Sequence, residues 1–541
     1  MDFSKKPFRG SGLAPDHIML SLSGDPSTTM TVTWRTDISV SEGYVLYRKH
    51  GSDDGFTRAD AVCGEFVSDI DSSMMHWAKL TGLCPGTAYE YTCGDGVNRS
   101  EVFAFMTAPE KIGRFKFVCF SDQQQGSPFD APDYSVFHDF VKSVLEENPD
   151  TAFILTGGDN TDCGQHEVQW NGAMEGWKGI AERVPVQMAL GNHDNRGFRD
   201  YRHAIGRFYA EPAEFFGKQF RGSYPDNGPE GWKTENYSFE YGNAHFTVIG
   251  INAPEEVNEW LKRDLDNEST WKFGVYHFPI CYSGCDCEND DAYPMMTEGM
   301  EMLDILFSGH EHNFSRSFPR RRDELFDRPS QGTIHYMLGN SGCNPAGAKT
   351  LHKIWHAAYF PQEEDVCAVC IVEVDGDKVT LTEKLSDGRT VDRCVIDKKT
   401  DTIEPPALAP YIRGGRTLLT YKGAPLGLCA ADLPCIKRGE NWYAPLAALF
   451  TWMGADVERG PGRVKLSVYG RSAEFRQGSD IAVTDEGEVR LPAPVIRANR
   501  GQLYMPIDAV ALFGMRWSYA ARNNFISVEH ESESHPVPRQ P

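Results

Sequence analysis

Thr151-Ala-Phe-Ile-Leu-Thr-Gly-Gly-Asp-Asn160 is a short apolar run that ends in two glycines, a carboxylate and an amide. An apolar, β-branched run of this length, bounded by turn residues, indicates a buried strand. The carboxylate of Asp159 then follows the end of that strand directly. A side chain in such a position is a candidate for binding at the edge of a sheet.

The same pattern recurs four times, although Gly274 interrupts one of the runs. Each recurrence ends in side chains that bind metals: Arg114 to Phe120 before Asp122, Val184 to Leu190 before Gly191-Asn192-His193-Asp194, Lys272 to Tyr276 before His277, and Met302 to Ser308 before Gly309-His310-Glu311-His312. The carboxyl ends of neighbouring strands in an open α/β sheet border one crevice. Carboxylate, amide and imidazole ligands together suit two closely held cations.

These five segments resemble the motifs of the metallophosphoesterase superfamily, D-x-H, G-D, G-N-H-D/E, H and G-H-x-H. Within it the chain is similar to the purple acid phosphatase branch. The motifs occur in family order over about residues 113 to 395. Taken singly, each segment has an ordinary explanation, such as a polar turn around His193 or a hydrogen-bonded core histidine at 277. The predicted strand before each of the five favours the metal site.

The resemblance implies two metal ions, Fe, Mn or Zn, whose identities stay open. It implies six ligands: Asp122, Asp159, Asn192, His277, His310 and His312. Asp159 would bridge both ions, Asp122 and His312 would bind the first, and the other three would bind the second. The metal pair would clamp the phosphate and activate the water that attacks phosphorus.

Two catalytic roles also follow from the resemblance. His193 matches the histidine that faces the phosphate and stabilises its charge or supplies a proton. Asp194 is expected to orient His193, because a carboxylate fixes the tautomer and direction of an imidazole ring.

The chain departs from the family at three places. Gln124 stands where the superfamily has histidine, and it is a poor metal ligand. Asp162 replaces the tyrosine whose bond to ferric iron gives the purple branch its colour; it either binds a metal or caps its loop. Asp286 stands near the place of the family's loop histidine, and it is either the acid that protonates the leaving group or a solvated carboxylate.

Composition restricts the partners. The 541 residues include 77 Asp and Glu against 54 Lys and Arg, a net charge of −23. Nucleic acids and anionic membranes bind basic surfaces, so we expect neither as a partner, and a small phosphoester as the substrate. No apolar stretch approaches the length of a membrane span. The start of the chain lacks the apolar region of a signal peptide, which predicts a cytoplasmic protein with reduced cysteines; a truncated N-terminus would instead allow an extracellular or envelope location.

The sequence predicts several domains. Residues 1–108 contain short, regularly spaced strands typical of an all-β sandwich and resemble the fibronectin-III-like domain of purple acid phosphatases. Residues 112–397 alternate strands with helices such as Asp133 to Glu147 and Glu255 to Leu265; the resemblance implies an α/β four-layer sandwich. A polar, proline-rich linker covers 397–410, and the tail at 531–541 is expected to be disordered.

Residues 411–530 contain an internal repeat. Gly439-Glu-Asn-Trp-Tyr-Ala-Pro-Leu-Ala-Ala-Leu-Phe450 is echoed by Gly501-Gln-Leu-Tyr-Met-Pro-Ile-Asp-Ala-Val-Ala-Leu512. In each copy a strand ends in Tyr-x-Pro and a helix begins near the proline, which lacks the N–H that a helix start leaves unpaired. The segment resembles the small α+β copper amine oxidase N-terminal-like, or stalk, domain of bacterial envelope proteins. It is expected to bind a protein or the cell envelope, or to act as a spacer.

We therefore expect a dinuclear metal-dependent phosphoesterase that hydrolyses phosphate monoesters. A phosphodiesterase or nucleotide pyrophosphatase is the alternative within the same chemistry, because one metal pair serves both reactions. An inactive envelope or interaction protein is the alternative from another class.

Overall fold

The structure is a computed structural model that describes residues 10–126, 132–195, 213–283, 292–322, 324–344, 355–362, 364–404, 417–421, 424–425, 433–520 and 525–530. The chain divides into two compact units. The first contains Met1–Arg321, Phe326–Lys349 and Phe360–Pro406, and the second contains Arg322–Leu325, Thr350–Tyr359 and Ala407–Pro541. Each unit is described by itself.

The first unit begins with a β-sandwich of two four-stranded antiparallel sheets. Its strands are β1 (Asp16–Ser21), β2 (Met30–Asp37), β3 (Tyr44–Lys49), β4 (Thr57–Asp60), β5 (Val62–Val67), β6 (Ser72–Leu80), β7 (Ala88–Gly94) and β8 (Phe103–Met106). One sheet has the order β1-β2-β6-β5 and the other β4-β3-β7-β8. Trp34 of β2 and Tyr91 of β7 are fully buried in the sandwich.

The rest of the first unit is an α/β body with two large sheets. The first sheet contains β9 (Arg114–Phe120), β10 (Thr151–Thr156), β11 (Val186–Gln187), β21 (Ala368–Asp375), β22 (Lys378–Leu385), β23 (Thr390–Asp397) and β24 (Thr402–Ile403), in the order β11-β10-β9-β21-β22-β23-β24. The second contains β12 (Tyr237–Tyr241), β13 (Ala244–Ile249), β14 (Trp271–Tyr276), β15 (Ile305–Ser308), β16 (Phe314–Ser317) and β19 (Ile334–Met337), in the order β12-β13-β14-β15-β19-β16.

The described helices of this unit are α1 (Ser135–Glu147), α2 (Glu167–Trp177), α3 (Asn192–Asn195), α4 (Glu214–Gln219), α5 (Pro254–Asp264) and α6 (Ala292–Met300), with a 3-10 turn at Pro329–Gln331. The remaining short strands before the second unit's main body are β17 (Arg320–Arg321), β18 (Glu324–Leu325) and β20 (His356–Phe360).

Aromatic side chains join the two large sheets. Phe117 on β9 contacts Phe246 on β13 at 5.1 Å and Phe273 on β14 at 5.6 Å between ring centroids. The opposite face of β9 presents Phe120, which contacts Phe137 and Phe140 of α1. Alternate residues of a strand point to opposite faces, so β9 packs against the second sheet on one side and a helix on the other.

The predicted strand Val184 to Leu190 is much shorter in the structure, where only β11 (Val186–Gln187) is paired. Pro185 has no N–H to donate to a ladder. Beyond β11, side chains replace strand partners: Met188 N donates to the Tyr224 hydroxyl at 3.3 Å and Ala189 N to Thr156 Oγ1 at 3.2 Å. The segment still delivers Asn192 to the edge of the sheet.

The second unit contains the predicted repeat. Its strands are β25 (Leu418–Tyr421), β26 (Ala424–Pro425), β27 (Ile436–Arg438), β28 (Asn441–Pro445), β29 (Asp456–Gly460), β30 (Arg463–Val468), β31 (Arg471–Arg476), β32 (Ile481–Thr484), β33 (Gly487–Arg490), β34 (Ile496–Arg497), β35 (Leu503–Pro506), β36 (Met515–Ala520) and β37 (Phe525–His530). They form three sheets: β26-β25-β37-β36, β27-β28-β35-β34 and β29-β30-β31-β32-β33.

The two copies of the repeat pair with each other. β28 and β35 are antiparallel, with Tyr443 opposite Pro506 and Pro445 opposite Tyr504. Each proline is the residue before a helix, the α-helix α7 (Leu446–Trp452) in the first copy and a 3-10 helix (Ile507–Phe513) in the second. The helices bury Phe450 and Phe513, whose rings contact at 4.7 Å. A 3-10 turn also lies at Asn499–Gly501.

The predicted linker at 397–410 is partly structured. β24 (Thr402–Ile403) pairs with the end of β23, and Glu404 N donates to the Val395 carbonyl at 2.9 Å. Residues 405–410 and the predicted disordered tail lie outside the described residues. Among the residues that are described, no helix combines the length and the apolar character needed to cross a membrane.

Candidate metal centre

Parallel strand pairing brings the five predicted segments to one edge. In the first sheet β10 runs parallel to both β9 and β11, so Asp122, Asp159 and Asn192 follow strands that end on the same side. In the second sheet β14 and β15 are parallel, and His277 and His310 follow them. Since the two sheets pack face to face, these ends lie together.

Three of the predicted ligands form a group able to hold a metal ion. Ligand atoms of Asp159, His277 and His310 all lie within 4.8 Å of one another. His277 Nε2 is 3.1 Å from Asp159 Oδ2. The other nitrogen of His277, Nδ1, donates to the Gly157 carbonyl at 2.8 Å, which leaves Nε2 facing the group.

Asn192 joins this group through its side-chain oxygen. Asn192 Oδ1 is 3.0 Å from His277 Nε2 and 3.0 Å from His310 Nδ1. Asn192 is 3% exposed, so its amide contacts the residues of the site rather than solvent. One carboxylate, one amide oxygen and two imidazoles are a donor set that fits a divalent cation of borderline hardness.

Asp122 and His312 form a second pair of predicted ligands near Asp159. His312 Nε2 is 3.6 Å from Asp122 Oδ1, and the amide of Gln124 lies 3.2 Å from the same nitrogen. Gln124 is also 3.5 Å from Asp159 Oδ2, so it stands between the Asp159 carboxylate and His312. These residues fit a second cation that shares Asp159, and Gln124 contacts its ligands without being a strong ligand itself.

Sequence reasoning missed the residues that hold His312. Asn340 Nδ2 and the Asn344 carbonyl each lie 2.8 Å from His312 Nδ1. Asn340 follows β19, which is parallel to β15, so it comes to the same edge as His310. The signal was present as Gly339-Asn340-Ser341-Gly342, a polar turn after an apolar run.

His193 contacts Asp162 rather than Asp194. His193 Nδ1 is 3.1 Å from Asp162 Oδ1 and 3.1 Å from the Asp162 carbonyl. The carboxylate of Asp194 instead accepts from Thr161 N and Gly191 N, both at 2.9 Å. This differs from the expectation that Asp194 orients His193, because successive residues of the short helix α3 point in different directions. Asp194 ties together the two backbone segments that carry Asp159 and Asn192.

Asp162 itself is not a member of the group formed by Asp159, His277 and His310. Its carboxylate contacts His193, and this role differs from both the metal ligand and the loop cap that the sequence left open. Asp286, the expected acid for the leaving group, lies outside the described residues.

The backbone at the site is held in an unusual conformation. Four of the predicted ligands have positive φ angles: Asp122 (52°), Asp159 (53°), His310 (78°) and His312 (52°). The left-handed region costs a non-glycine residue about 1–3 kcal/mol and clusters at functional sites. Gly191 permits a close approach, because a Cβ there would lie 2.1 Å from Asp159 Oδ1.

Burial and neighbouring charge set the protonation of the histidines. Burial lowers the pKa of His310 to about 3, and the neighbouring His277 adds to this effect. Burial also acts to lower the pKa of His277, but the charge and hydrogen bond of Asp159, together with Asp122 and the Gly157 carbonyl, raise it to about 9. His310 is therefore neutral, the form that binds metals, whereas His277 must release a proton on binding one.

Two stretches of the chain match known families. Residues 15–107 match the Purple acid Phosphatase, N-terminal domain, and residues 115–314 match the Calcineurin-like phosphoesterase family. The second match contains all six predicted ligands, and the last two, His310 and His312, lie near its end.

Over the aligned residues, curated relatives are about a quarter identical to the chain. Purple acid phosphatase 15 of Arabidopsis thaliana is 26% identical over 50% of this chain and 54% of its own length. Probable inactive purple acid phosphatase 27 of the same plant is 24% identical over 63% of both chains. Acid phosphatase type 7 of Danio rerio is 22% identical over 65% of this chain and 82% of its own. The chain thus spans about half to two thirds of the first two relatives.

Two solved structures share the fold. The purple acid phosphatase PPD1 isolated from yellow lupin (Lupinus luteus) seeds aligns with a TM-score of 0.58 at 19% identity, over 71% of this chain and 74% of its own. A structure of PhoD aligns with a TM-score of 0.52 at 12% identity, over 74% and 94%. At such identities the likeness concerns the arrangement of elements.

Proposed function

The chain joins a purple acid phosphatase N-terminal domain to a calcineurin-like phosphoesterase domain, and from this premise we propose that it is a hydrolase of small phosphate monoesters that uses two metal ions. The observation that carries the proposal is the meeting of carboxylate, amide and imidazole side chains around Asp159. Two sheets contribute to it, and every contributor follows a strand end.

The chain's own residues would bind and position the ester. Two metal ions held by this donor set would supply positive charge for the phosphate and lower the pKa of a water molecule. His193 is 21% exposed, and its Nε2 lies 3.8 Å from Asp159 Oδ2. An imidazole N–H in that position would donate to a phosphoryl oxygen, and Asp162 would keep the ring turned toward it. Asp286 is the proposed donor of a proton to the leaving alcohol.

The donor set suits Fe, Mn or Zn, and the presence of Asp162 in place of tyrosine favours harder or divalent ions. A phosphodiesterase remains the second enzymatic candidate. The observation that favours it is Gln124, a neutral amide between the two halves of the site, where the superfamily has histidine.

An inactive interaction protein is the candidate from another class. Three of the matched relatives bear the words "Probable inactive purple acid phosphatase" in their names. Against this candidate, all six predicted ligands are retained in this chain. The second unit, with its stalk-like repeat, would then bind a protein or the envelope, and we propose the same spacer or binding role for it in the active enzyme.

The test compares Asp159→Ala with Asp150→Ala in the full chain. Asp159 and Asp150 flank the same strand, but Asp150 lies at its amino end, where its exposed side chain pairs with Lys116. We expect Asp159→Ala to lose at least about a hundredfold in turnover of an aryl phosphate, because even indirect partners of a metal site cost 10–100-fold. Asp150→Ala should match the wild type.

Metal analysis and a substrate panel complete the experiment. Two equivalents of metal bound by the wild type, and fewer by Asp159→Ala, support the dinuclear site. Faster turnover of aryl diesters than monoesters would shift the proposal to the diesterase. A wild-type protein that binds metal and turns over neither ester would favour the interaction protein.

A further inference from the structure

The loop 159–166 leads from the candidate metal centre into helix α2 (Glu167–Trp177). The residue before the helix, His166, makes no side-chain hydrogen bond that caps it. The first N–H groups of a helix have no partner within the helix and need an external acceptor. The acceptor here comes from another part of the first unit.

Asp69 of the N-terminal sandwich provides that acceptor. It lies in the turn between β5 and β6, and its Oδ1 accepts from Glu167 N at 2.9 Å. Its Oδ2 contacts His166 Nδ1 at 2.8 Å. Burial acts to raise the pKa of Asp69, but the hydrogen bonds from His166 and Glu167 lower it overall, so the carboxylate is charged. A carboxylate at a helix N-terminus is stabilised by the helix dipole.

A buried ion pair reinforces the same contact. Arg35 of β2 is 1% exposed and pairs with Glu167, while its Nε and Nη2 each lie 2.8 Å from the carboxylate of Asp16. Ser68, next to Asp69, also hydrogen-bonds to the Glu167 carboxylate. The sandwich therefore holds both the backbone and the side chain of the first residue of α2.

The far side of the loop is held by the candidate site. Gly164 N donates to the His193 carbonyl at 2.8 Å, and Thr161 N donates to Asp194 Oδ1 at 2.9 Å. Trp170 of α2 donates from Nε1 to the Gly164 carbonyl at 2.7 Å, which links the helix to the loop. The loop is thus held at one end by the residues around His193 and at the other by α2, which the sandwich caps.

We propose that Asp69 is a positioning residue for the metal centre: it caps α2 from the sandwich domain and thereby fixes the loop that carries Asp159 and Asp162. The inference rests on the proposed function for its catalytic consequence, but its effect on the loop does not depend on any reaction. In this arrangement the sandwich helps to position the backbone of the metal site.

The test uses three variants of the full chain. Asp69→Ala removes the cap, and Asp69→Asn keeps an oxygen that can accept from Glu167 N. Ser21→Ala is the matched control, because Ser21 Oγ donates to the Ser223 carbonyl at 2.5 Å and so joins the sandwich to the α/β body away from α2. The readouts are hydrogen–deuterium exchange of the amides of 159–166 in metal-stripped protein, and the apparent Kd for Zn²⁺ by titration.

We expect Asp69→Ala to accelerate exchange in the loop and to raise the apparent Kd about fivefold, the factor that corresponds to loss of a typical helix cap. Asp69→Asn and Ser21→Ala should keep wild-type exchange and Kd. Wild-type values for Asp69→Ala, an Asn variant as perturbed as the Ala variant, or an equal effect of Ser21→Ala would each overturn the proposal.

The catalytic arm separates this inference from the proposed function. If the wild type hydrolyses aryl phosphate, Asp69→Ala should lower kcat at subsaturating Zn²⁺ and recover at saturating Zn²⁺, which a general loss of folding would not reproduce. If the wild type hydrolyses no ester, the proposed function fails, and loop exchange and the Kd still decide whether Asp69 positions the loop.

Discussion

At the scale of single residues, Asp162 is one of three positions where this chain departs from the family it resembles. It stands three residues after Asp159, and its carboxylate lies 3.1 Å from His193 Nδ1. The carboxylate partner of His193 therefore lies outside the G-N-H-D motif, and the motif does not predict it. A change at this residue alters the direction of His193 and the donors near the metal ions together.

The first prediction concerns colour. Iron-loaded wild-type protein should lack an intense visible charge-transfer band, because no tyrosinate occupies the place of Asp162. Absorption spectroscopy of the metal-loaded protein checks this, and a strong visible band would contradict it. Asp162→Tyr in the same iron-loaded state is the companion variant and is expected to introduce such a band.

The second prediction concerns the pH dependence of stability. Glu383 on β22 is fully buried, and burial raises the pKa of its carboxyl from 4.5 to about 8, although the Gly339 N–H and the Tyr336 hydroxyl oppose this. Between these pH values the folded protein keeps a proton that the unfolded chain has lost, so stability falls as pH rises.

Glu383→Gln should remove this loss, since the amide stays neutral. Denaturant unfolding at pH 5 and pH 8 measures the free energy of unfolding of both proteins. We expect the variant to lose at least about 1 kcal/mol less than the wild type over this interval. Glu146→Gln, at an exposed position of α1, is the control and should behave as the wild type. Equal losses in all three proteins would contradict the prediction.

At the scale of elements, the candidate site depends on how closely the strand ends approach one another. Gly191 lies against Asp159, where a Cβ would fall 2.1 Å from Oδ1. The Asp159 carboxylate therefore packs directly against the backbone of residue 191, and only glycine leaves room for this contact.

The third prediction follows from this contact. Gly191→Ala should displace the Asp159 carboxylate and weaken metal binding by about tenfold or more, comparable with loss of an outer partner of a metal site. Gly113→Ala is the matched control, because a Cβ at Gly113 meets no atom within 4 Å. Calorimetric titration with Zn²⁺ checks both variants. Unchanged affinity in Gly191→Ala would mean that the site tolerates a rearrangement of Asp159.

Local sequence patterns predicted most of these elements. Arg114 to Phe120 and Thr151 to Thr156 are strands with the predicted bounds, and both lie almost entirely within the stretch that matches the calcineurin-like phosphoesterase family. Helix α5 (Pro254–Asp264) lies within one residue of its predicted span. These elements carry their own signals, an apolar run between turn residues or a proline at a helix start.

Contacts made across the fold could not be predicted in the same way. Nothing local to Asp162 indicates that it meets His193 rather than a metal, and nothing local to Asp69 indicates that it caps a helix about a hundred residues later. The strand predicted at Val184 to Leu190 is only two residues long, because the next backbone N–H groups donate to the hydroxyls of Tyr224 and Thr156 instead of to a neighbouring strand. Side-chain partners that are distant in sequence decided each of these cases.

At the scale of the whole molecule, the sandwich and the α/β body form one compact unit. Their shared interface contains Arg35 and Glu167, both almost fully buried. Loss of one partner of a buried ion pair leaves the other uncompensated, at a cost of about 3–5 kcal/mol. The sandwich, which the sequence presents as a separate module, is therefore tied energetically to the body.

The fourth prediction contrasts the two ends of the chain. A protein that ends after Glu404 should fold and keep turnover of an aryl phosphate within a small factor, because all six predicted ligands belong to the first unit. A protein that begins at residue 109 should unfold at lower temperature or aggregate, because Glu167 loses Arg35. Thermal unfolding and turnover are measured on both. A folded, metal-loaded protein ending at 404 that lacks turnover would show that the second unit completes the site.

The pairing of β28 with β35 has a consequence for the history and association of the second unit. Two copies of one motif that meet through the same strand, in antiparallel register, are related as two subunits are about a two-fold axis. Duplication and fusion of a single-copy homodimer would produce this arrangement on one chain. Shortening the connection between the copies would prevent them from pairing within one chain, and we expect such a variant to form dimers in which copies pair between chains.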